Sequence, residues 1–308
     1  MKIRYGHSGV HLFDRKTGLN VLLDETRPPV REWSQAPRYV SLALTNACEL
    51  SCPYCYASKA PSKLSPNAII TWAKELDRHG CFGIGLGGGE PTLYPEFSRL
   101  CEELNHSTQL AITLTTHGHR FSKQLASQLR GNVQFIRLSM DGIEKTYEKL
   151  RGRSFAAFLQ KLALVRDTAP FGINFVVNEE TLGELELAAE FAFENGASEF
   201  LVLPQSNDQG RVVLSESDQE KIANWINEKQ STYRIATSST ADFADRVIRL
   251  FPSNKNYESY DFMHLDAFGT LKLSAFSREG IKIAEGDSIL DAILTLRQQS
   301  HENWEVVR

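Results

Sequence analysis

The sequence predicts an α/β fold, because short apolar runs alternate with helical segments over most of its length. Six runs of five to seven residues, rich in aliphatic and aromatic side chains, are typical of buried strands. Segments of about a dozen residues with helical periodicity separate them. This alternation favours a parallel sheet with right-handed crossovers. The strands are predicted at 39–44, 82–86, 109–114, 133–139, 172–177 and 199–204, and the helices between them at 66–79, 95–105, 121–129, 154–167 and 182–195.

The bulk properties of the chain narrow the class of protein. It has 308 residues, 42% of them hydrophobic, which is enough to fill one sizeable core. Its formal net charge is −4 and it has no run of five basic residues, so we expect no nucleic-acid partner. It shows no long apolar run and no signal-peptide pattern, so we expect no membrane span. Three of its five cysteines fall in one short motif, a pattern that indicates a reducing, cytoplasmic location rather than a disulfide framework.

Residues 1–36 are predicted to form an N-terminal β-hairpin extension. Apolar stretches at 10–14 and 19–23 flank a short turn that contains Gly18, and two prolines follow the second stretch. Two roles are open for this hairpin. It could be a lid or an edge to which a peptide adds as a strand, or it could cover the open side of the main sheet.

The main region, residues 37–230, is predicted to be followed by a small α+β extension at residues 231–308. A capping box at Ser217 to Glu220 indicates a helix that closes the main region. Short strands are then expected at 233–237, 262–266, 271–276 and 281–284, with a hairpin turn from Leu265 to Leu271 and an amphipathic helix from Ser288 to Gln299.

Three cysteines mark the first candidate site. Cys48, Cys52 and Cys55 have the spacing C-x3-C-x2-C and follow the first predicted strand directly. A [4Fe–4S] cluster normally takes four thiolates, so three from one loop would leave one iron open to an exogenous ligand. The alternatives are a zinc site or buried structural thiols. Zinc often uses two pairs of ligands, and the second pair is missing here.

Further motifs follow the next strands in order, and they extend the comparison beyond the cysteines. They are Gly87-Gly88-Gly89-Glu90-Pro91, Thr115-Thr116-His117-Gly118, Leu138-Ser139-Met140-Asp141-Gly142 and Leu150-Arg151-Gly152. With the cysteine motif, they make residues 37–230 resemble the radical SAM superfamily. The resemblance is closest to its peptide-modifying branch, whose members carry SPASM or twitch extensions. The chain has no cysteine after Cys101, so its extension lacks the usual ligands for an auxiliary cluster.

The resemblance implies a fold and two cofactors. The fold would be a partial six-stranded (β/α)6 barrel, similar to a TIM barrel but open on one side, with motifs at the carboxyl ends of its strands. Cys48, Cys52 and Cys55 would hold one [4Fe–4S] cluster, and S-adenosylmethionine (SAM) would bind the open iron. The stretch Gly88, Gly89 and Glu90 would lie along the SAM amino group, since glycines let backbone approach a ligand.

The resemblance also implies the remaining contacts to SAM, and it assigns no catalytic acid, base or nucleophile. Ser139 and Asp141 match an S-x-D pattern that faces SAM, and Arg151 matches an arginine that meets its carboxylate. The alternative for Arg151 is an exposed helix end. Tyr54, within the cysteine motif, is also expected to contact SAM. Three strand residues match the family pattern more loosely and are expected to contact ribose and adenine: Asn174, Val176 and Leu203.

The function implied by the resemblance is reductive cleavage of SAM to a 5′-deoxyadenosyl radical that abstracts hydrogen from a substrate. The branch favours a ribosomally made peptide or a protein side chain as substrate, and flavodoxin or ferredoxin as electron donor. Whether the reaction is an oxidation, a transfer or an isomerisation stays open. Two alternatives remain: a radical SAM enzyme for a small metabolite such as a nucleotide or sugar, and a non-catalytic Fe–S protein.

Overall fold

The chain folds into a small antiparallel sheet at its start and a large, curved sheet behind it. This computed structural model describes residues 1–207, 210–238, 246–247 and 257–299. In chain order the strands are β1 (Lys2–Gly6), β2 (Gly9–Phe13), β3 (Asn20–Leu23), β4 (Tyr39–Thr45), β5 (Gly83–Gly88), β6 (Ala111–Thr116), β7 (Phe135–Ser139), β8 (Phe171–Val177), β9 (Glu199–Pro204), β10 (Ile235–Thr237), β11 (Phe262–Leu265), β12 (Thr270–Lys272) and β13 (Ile281–Lys282).

The large sheet has the order β10-β9-β8-β7-β6-β5-β4-β11-β12-β13, and its six central strands run parallel in chain order. Helices cover one face. They are α1 (Pro66–Arg78), α2 (Phe97–Ser107), α3 (Lys123–Leu129), α4 (Glu144–Arg151), α5 (Phe155–Arg166), α6 (Leu185–Glu194), α7 (Glu216–Lys229), α8 (Glu258–Asp261) and α9 (Ile289–Gln299). The predicted α/β fold with a six-stranded partial barrel is confirmed, and each central strand lies within two residues of its predicted bounds.

Alternate residues of the central strands face the helices and form the hydrophobic core. On β4, Val40, Leu42 and Leu44 are at most 1% exposed and belong to the same buried cluster as Ile69 and Trp72 of α1. Burying such aliphatic side chains contributes roughly 1.5–3 kcal/mol each. This covered face therefore holds the strands in place, and the residues between them face the other way.

The opposite face of the sheet is concave and more polar. The Tyr39 hydroxyl of β4 bonds with Thr113 of β6, two strands away, and Arg137 of β7 pairs with Glu199 of β9. Side chains reach across an intervening strand only where the sheet curves towards them. A Cβ on Gly85 would lie 2.0 Å from the Tyr39 hydroxyl, so the glycine on β5 makes room for this ring.

The C-terminal segment extends the large sheet at both edges. Strand β10 pairs in parallel with β9, and β11 pairs in parallel with β4, while β11 and β12 form the predicted hairpin. Helix α7 begins earlier than its capping box predicted, because Ser215 and not Ser217 accepts from the Asp218 N–H. The division of the chain at residues 36 and 230 stays a prediction, and the predicted end of the extension, residues 300–308, lies outside the described residues.

The N-terminal segment is a three-stranded sheet. The expected hairpin is β2 and β3, and β1 pairs with β2 as an additional strand. This sheet packs against the amino ends of the barrel strands: Phe13 stacks on Phe82, just before β5, and Arg15 donates to the carbonyl of Leu110, just before β6. The cysteine loop lies at the carboxyl end of β4. The small sheet therefore covers the amino end of the barrel, and this position does not suit a lid over that loop.

A buried arginine joins the small sheet to the barrel. Arg4 is 3% exposed and donates to the carbonyl oxygens of Ala36, Gly80 and Tyr260 at 2.6, 3.1 and 2.8 Å. Burial is the main effect that lowers the pKa of Arg4 to about 9.

No helix among the described residues has the length and apolarity needed to cross a membrane.

We expect Arg4→Met to lower the free energy of unfolding by about 2–3 kcal/mol, because three buried carbonyls would lose their donor. Urea unfolding followed by circular dichroism measures this change. Arg27→Met is the control, since Arg27 is exposed and makes one hydrogen bond to the carbonyl of Ser8. Its effect should stay within about 0.5 kcal/mol. Equal effects of the two substitutions would contradict the role given to Arg4.

Candidate functional site

The cysteine loop follows β4 and carries three sulfur atoms, each with an N–H donor beside it. The donors are the Leu50 N–H, 3.4 Å from Cys48 Sγ, Arg151 Nη1, 3.6 Å from Cys52 Sγ, and Lys59 Nζ, 3.7 Å from Cys55 Sγ. The thiolate is the form of cysteine that binds a metal. Cys81 and Cys101 are fully buried elsewhere, and burial raises the pKa of both thiols, that of Cys81 to about 11. Burial also raises the pKa of Cys48.

The glycine-rich stretch at the end of β5 packs its backbone on the start of the cysteine loop. The N–H groups of Gly89 and Glu90 donate to the carbonyls of Thr45 and Ala47, both at 2.7 Å. A Cβ on Gly89 would lie 2.3 Å from the Ala47 oxygen, and a Cβ on Gly88, where φ is +123°, would lie 2.3 Å from the Thr45 oxygen. These two glycines therefore allow the two loops to touch.

Glu90 is fully buried, and its carboxylate organises the protein around it. Oε1 accepts from the hydroxyls of Thr92 and Thr116 at 2.6 and 2.7 Å, and Oε2 accepts from the His117 backbone N–H at 3.1 Å. The carboxylate thus ties the glycine-rich stretch to the end of β6. A contact between this stretch and SAM stays a prediction.

His117 meets the cysteine loop, which the sequence did not indicate. Its Nε2 lies 3.3 Å from carboxylate oxygens of both Glu49 and Glu90, and its Nδ1 accepts from the His119 N–H at 3.1 Å. One ligand atom each from Cys48, Glu49 and His117 lie within 4.8 Å of one another. Glu49 is a site residue that sequence reasoning missed, since nothing in its local pattern distinguishes it from a surface glutamate.

The Asp141 carboxylate joins four parts of the site. It follows β7 and is fully buried, with one oxygen accepting from the Tyr54 hydroxyl and forming an ion pair with Arg151. Its other oxygen accepts from the Val176 N–H at 2.7 Å. The cysteine loop, β7, the end of α4 and β8 therefore meet at one carboxylate.

Arg151 points into the site, so the alternative of an exposed helix end is excluded. Its side chain is 10% exposed, its guanidinium lies 5.9 Å from the centre of the Tyr54 ring, and its Nε is buried without a described hydrogen-bond partner. Burial acts to lower the pKa of Arg151. The negative charge of Asp141 beside it acts in the opposite direction, and the net effect is a raised pKa. The arginine is therefore a fixed positive charge next to Cys52.

The other expected SAM contacts lie on the concave face near the carboxyl ends of their strands. Ser139 is opposite Asn174 in the pairing of β7 with β8, and Val176 is opposite Leu203 in the pairing of β8 with β9. All four side chains are partly exposed. The Asn174 Oδ1 atom is buried without a described partner, as an acceptor awaiting a ligand would be.

A comparison with protein families identifies the region that contains this site. The sequence model described as the radical SAM superfamily matches residues 42–192, from β4 to α6. Residues 42–192 are a radical SAM domain. The matched range includes the cysteine loop, the glycine-rich stretch, Asp141 and Arg151, so the geometry above belongs to this domain.

Curated proteins and a solved structure are similar to the radical SAM domain and its surroundings. The AdoMet-dependent heme synthase of Methanosarcina barkeri is 28% identical over 220 residues, which cover 67% of this chain and 62% of the relative. The sporulation killing factor maturation protein SkfB of Bacillus subtilis is 32% identical over 180 residues, 53% of this chain and 42% of SkfB. The chain thus spans about half the length of these relatives.

The fold is shared with Streptococcus suis SuiB, whose crystal structure contains the precursor peptide SuiA. The superposition has a TM-score of 0.72 at 15% identity and covers 94% of this chain and 86% of SuiB. At this level of identity the likeness shows the fold of the radical SAM domain and its extensions.

We expect Asp141→Ala to lower the free energy of unfolding by about 3–5 kcal/mol, because Arg151 would remain buried without its counter-charge. The double variant Asp141→Leu/Arg151→Met removes both charges and should be less destabilised than the single variant. Urea unfolding of the two variants measures the coupling. Glu180→Ala, which breaks a solvent-exposed pair with Lys149, is the matched control and should change little. A double variant no more stable than Asp141→Ala would contradict this account.

Proposed function

We propose that this chain is a radical SAM enzyme whose one [4Fe–4S] cluster is bound by Cys48, Cys52 and Cys55. The observation that carries the proposal is the donor set: three sulfurs on one loop at the carboxyl end of β4, each beside an N–H donor. Three thiolates match the cluster and leave one iron for SAM. A zinc site is the alternative, because His117 and Glu49 lie beside Cys48 and could supply the fourth ligand that zinc needs. Metal analysis separates the two sites.

When bound, the cluster supplies the electron that cleaves SAM to methionine and a 5′-deoxyadenosyl radical. The chain binds and orients the reactants. Tyr54 shields the cluster side of the site, and Arg151, fixed by Asp141, meets the SAM carboxylate. The backbone of Gly88 and Gly89, with Glu90 holding it in place, lies along the amino group.

Four side chains on the concave face complete the proposed SAM site. Ser139 and Asn174 are adjacent across β7 and β8, where a hydroxyl and an amide suit the hydroxyls of a ribose. Val176 and Leu203 are adjacent across β8 and β9 and offer an apolar surface to the adenine ring. The Oδ1 atom of Asn174 supports this assignment, because it has no partner among the described residues and a buried acceptor of this kind needs a donor.

We propose that the substrate is a ribosomally made peptide or a protein side chain, and that a small carrier such as flavodoxin or ferredoxin delivers the electron in the cytoplasm. SkfB is named as a maturation protein for a sporulation killing factor, and SuiB was crystallised with a precursor peptide. The second candidate, a small-molecule substrate, is favoured by the similarity to a heme synthase. A non-catalytic Fe–S protein would have no need for the buried Asp141–Arg151 pair beside its cluster.

Substitution of each loop cysteine tests the cluster. Cys48→Ala, Cys52→Ala and Cys55→Ala should each abolish the EPR signal of the reduced, anaerobically reconstituted protein and lower its iron content from about four per chain. Cys101→Ala is the control and should retain the cluster, since Cys101 is buried in the core on α2 rather than in the loop. In the unsubstituted protein, SAM should change the EPR spectrum, and dithionite should yield 5′-deoxyadenosine.

Two results would contradict the proposal. One is an iron content of about two per chain, or zinc in its place, with spectra that do not respond to SAM. The other is retention of the full signal in any single loop variant. Incubation with SAM, dithionite and short peptides encoded beside the gene, read by mass spectrometry, then separates a peptide substrate from a small metabolite.

The glycine-rich stretch offers a matched pair of substitutions that separates folding from SAM binding. A Cβ on Gly89 would collide with the cysteine loop, whereas a Cβ on Gly87 would meet nothing within 4 Å. We expect Gly89→Ala to lower both stability and iron content. Gly87→Ala should keep both, and it should weaken SAM binding about tenfold if SAM lies along this backbone, since a methyl group would displace the ligand. Unchanged SAM affinity in Gly87→Ala would contradict that placement.

A further inference from the structure

The concave face of the barrel carries hydrogen-bonding groups that the proposed SAM site does not use. Arg137 of β7 pairs with Glu199 through Nη2, and its Nη1 is buried without a hydrogen-bond partner among the described residues. On β11, His264 Nδ1 bonds with the Ser41 hydroxyl of β4 at 2.6 Å, and its Nε2 has no hydrogen bond to the described part of the chain. A buried polar atom without a partner, as Arg137 Nη1 is in the described part of the chain, indicates a group still to be bound.

These side chains belong to one interior space. His264 faces the concave side, because its neighbours Met263 and Leu265 are fully buried on the helix side. Tyr39 lies on the same face, two residues before Ser41. Burial raises the pKa of Tyr39, and the charge of Arg137 is close enough to oppose that shift. Arg137 lies on this face too, because its neighbours Ile136 and Leu138 are fully buried on the helix side.

The same face of the sheet has an apolar wall. Phe262 precedes His264 by two residues and is 38% exposed, although it lies on the inside of a barrel. Its ring is nearly parallel to that of Tyr39, with the ring centres 6.2 Å apart. A concave surface with an exposed aromatic ring and unpaired polar atoms is typical of a ligand site.

The charges on this face are compensated. Arg137 pairs with Glu199, and Lys272 of β12 pairs with Asp266 at 2.9 Å. His264 is neutral at pH 7, because burial, chiefly, lowers its pKa to about 4. A charged guest would lose its water here without gaining a counter-charge, which is unfavourable. A neutral guest can accept from Arg137 and bond with His264 without that loss.

We infer that this concave face is the substrate subsite, and that it holds an uncharged residue of a peptide. A peptide carbonyl accepts from Arg137 Nη1, and His264 Nε2 bonds with a second neutral polar group. Phe262 and Tyr39 contact the side chain of the bound residue. The inference rests on the proposed function and narrows its substrate class. Two of the proposed specificity residues, Phe262 and His264, belong to the C-terminal segment, which lies outside the matched radical SAM domain.

Calorimetric titration of the reconstituted protein, loaded with SAM, tests the inference. The probes are acetyl-Gly-Gly-X-Gly-Gly-amide peptides in which X is Tyr, Glu or Lys. We expect the Tyr peptide to bind at least about tenfold more tightly than the other two. Burying the unpaired charge of Glu or Lys costs more free energy than one hydrogen bond returns. Similar affinities for the three peptides, or no binding of the Tyr peptide up to its solubility limit, would overturn the inference.

Variants then locate the subsite. His264→Ala and Arg137→Lys should each weaken the Tyr peptide about tenfold, the second because lysine keeps the pair with Glu199 but loses the free N–H. His106→Ala and Arg99→Lys, on the exposed surface of α2, are the matched controls and should change nothing.

Two further measurements complete the test. SAM affinity, read from the cluster EPR spectrum, should be unchanged in all four variants. If SAM fails to bind the unsubstituted protein, the proposed function fails. If SAM binds and the peptide affinities of His264→Ala and Arg137→Lys match the controls, only the subsite is wrong.

Discussion

The buried carboxylate of Asp141 is the interaction on which the geometry of the site depends. A carboxylate without water needs several partners, and this one has a tyrosine hydroxyl, a guanidinium and a backbone N–H. Each partner comes from a different element, so satisfying the charge fixes the position of all of them. Arg151 is held in this way beside Cys52, with its Nη1 atom 3.6 Å from the sulfur. One buried anion thus sets both the shape and the electrostatics of the cysteine loop.

A second constraint acts at the end of β5. Gly88 and Gly89 lie so close to the start of the cysteine loop that no side chain fits, and Glu90 then joins this loop to β6. Parallel strands place their carboxyl ends at one edge of the sheet, which brings these loops together. The glycines therefore have a structural role in addition to the one expected towards SAM.

Much of this arrangement could be predicted from the sequence, because strand alternation and motif order are local properties. The position of each motif directly after a strand was sufficient to place the candidate site at the carboxyl edge. The contact of His117 with Glu49 could not be predicted, since it depends on how two loops from non-adjacent strands, β4 and β6, come together. Strand β1 was missed because Lys2 and Arg4, charged residues at alternating positions, obscure its pattern. Their partners are acceptors supplied by distant parts of the chain.

The pairing of β11 with β4 has a consequence for biosynthesis. Strand β4 is made early, yet one of its two neighbours is encoded near the end of the chain. While the ribosome translates the intervening helices and strands, that edge of β4 presents unsatisfied amide groups and is open to wrong partners. Parallel pairing across such a sequence distance is also slow to form. The nascent polypeptide therefore covers this edge of β4 only after β11 has emerged, and until then the edge can pair wrongly.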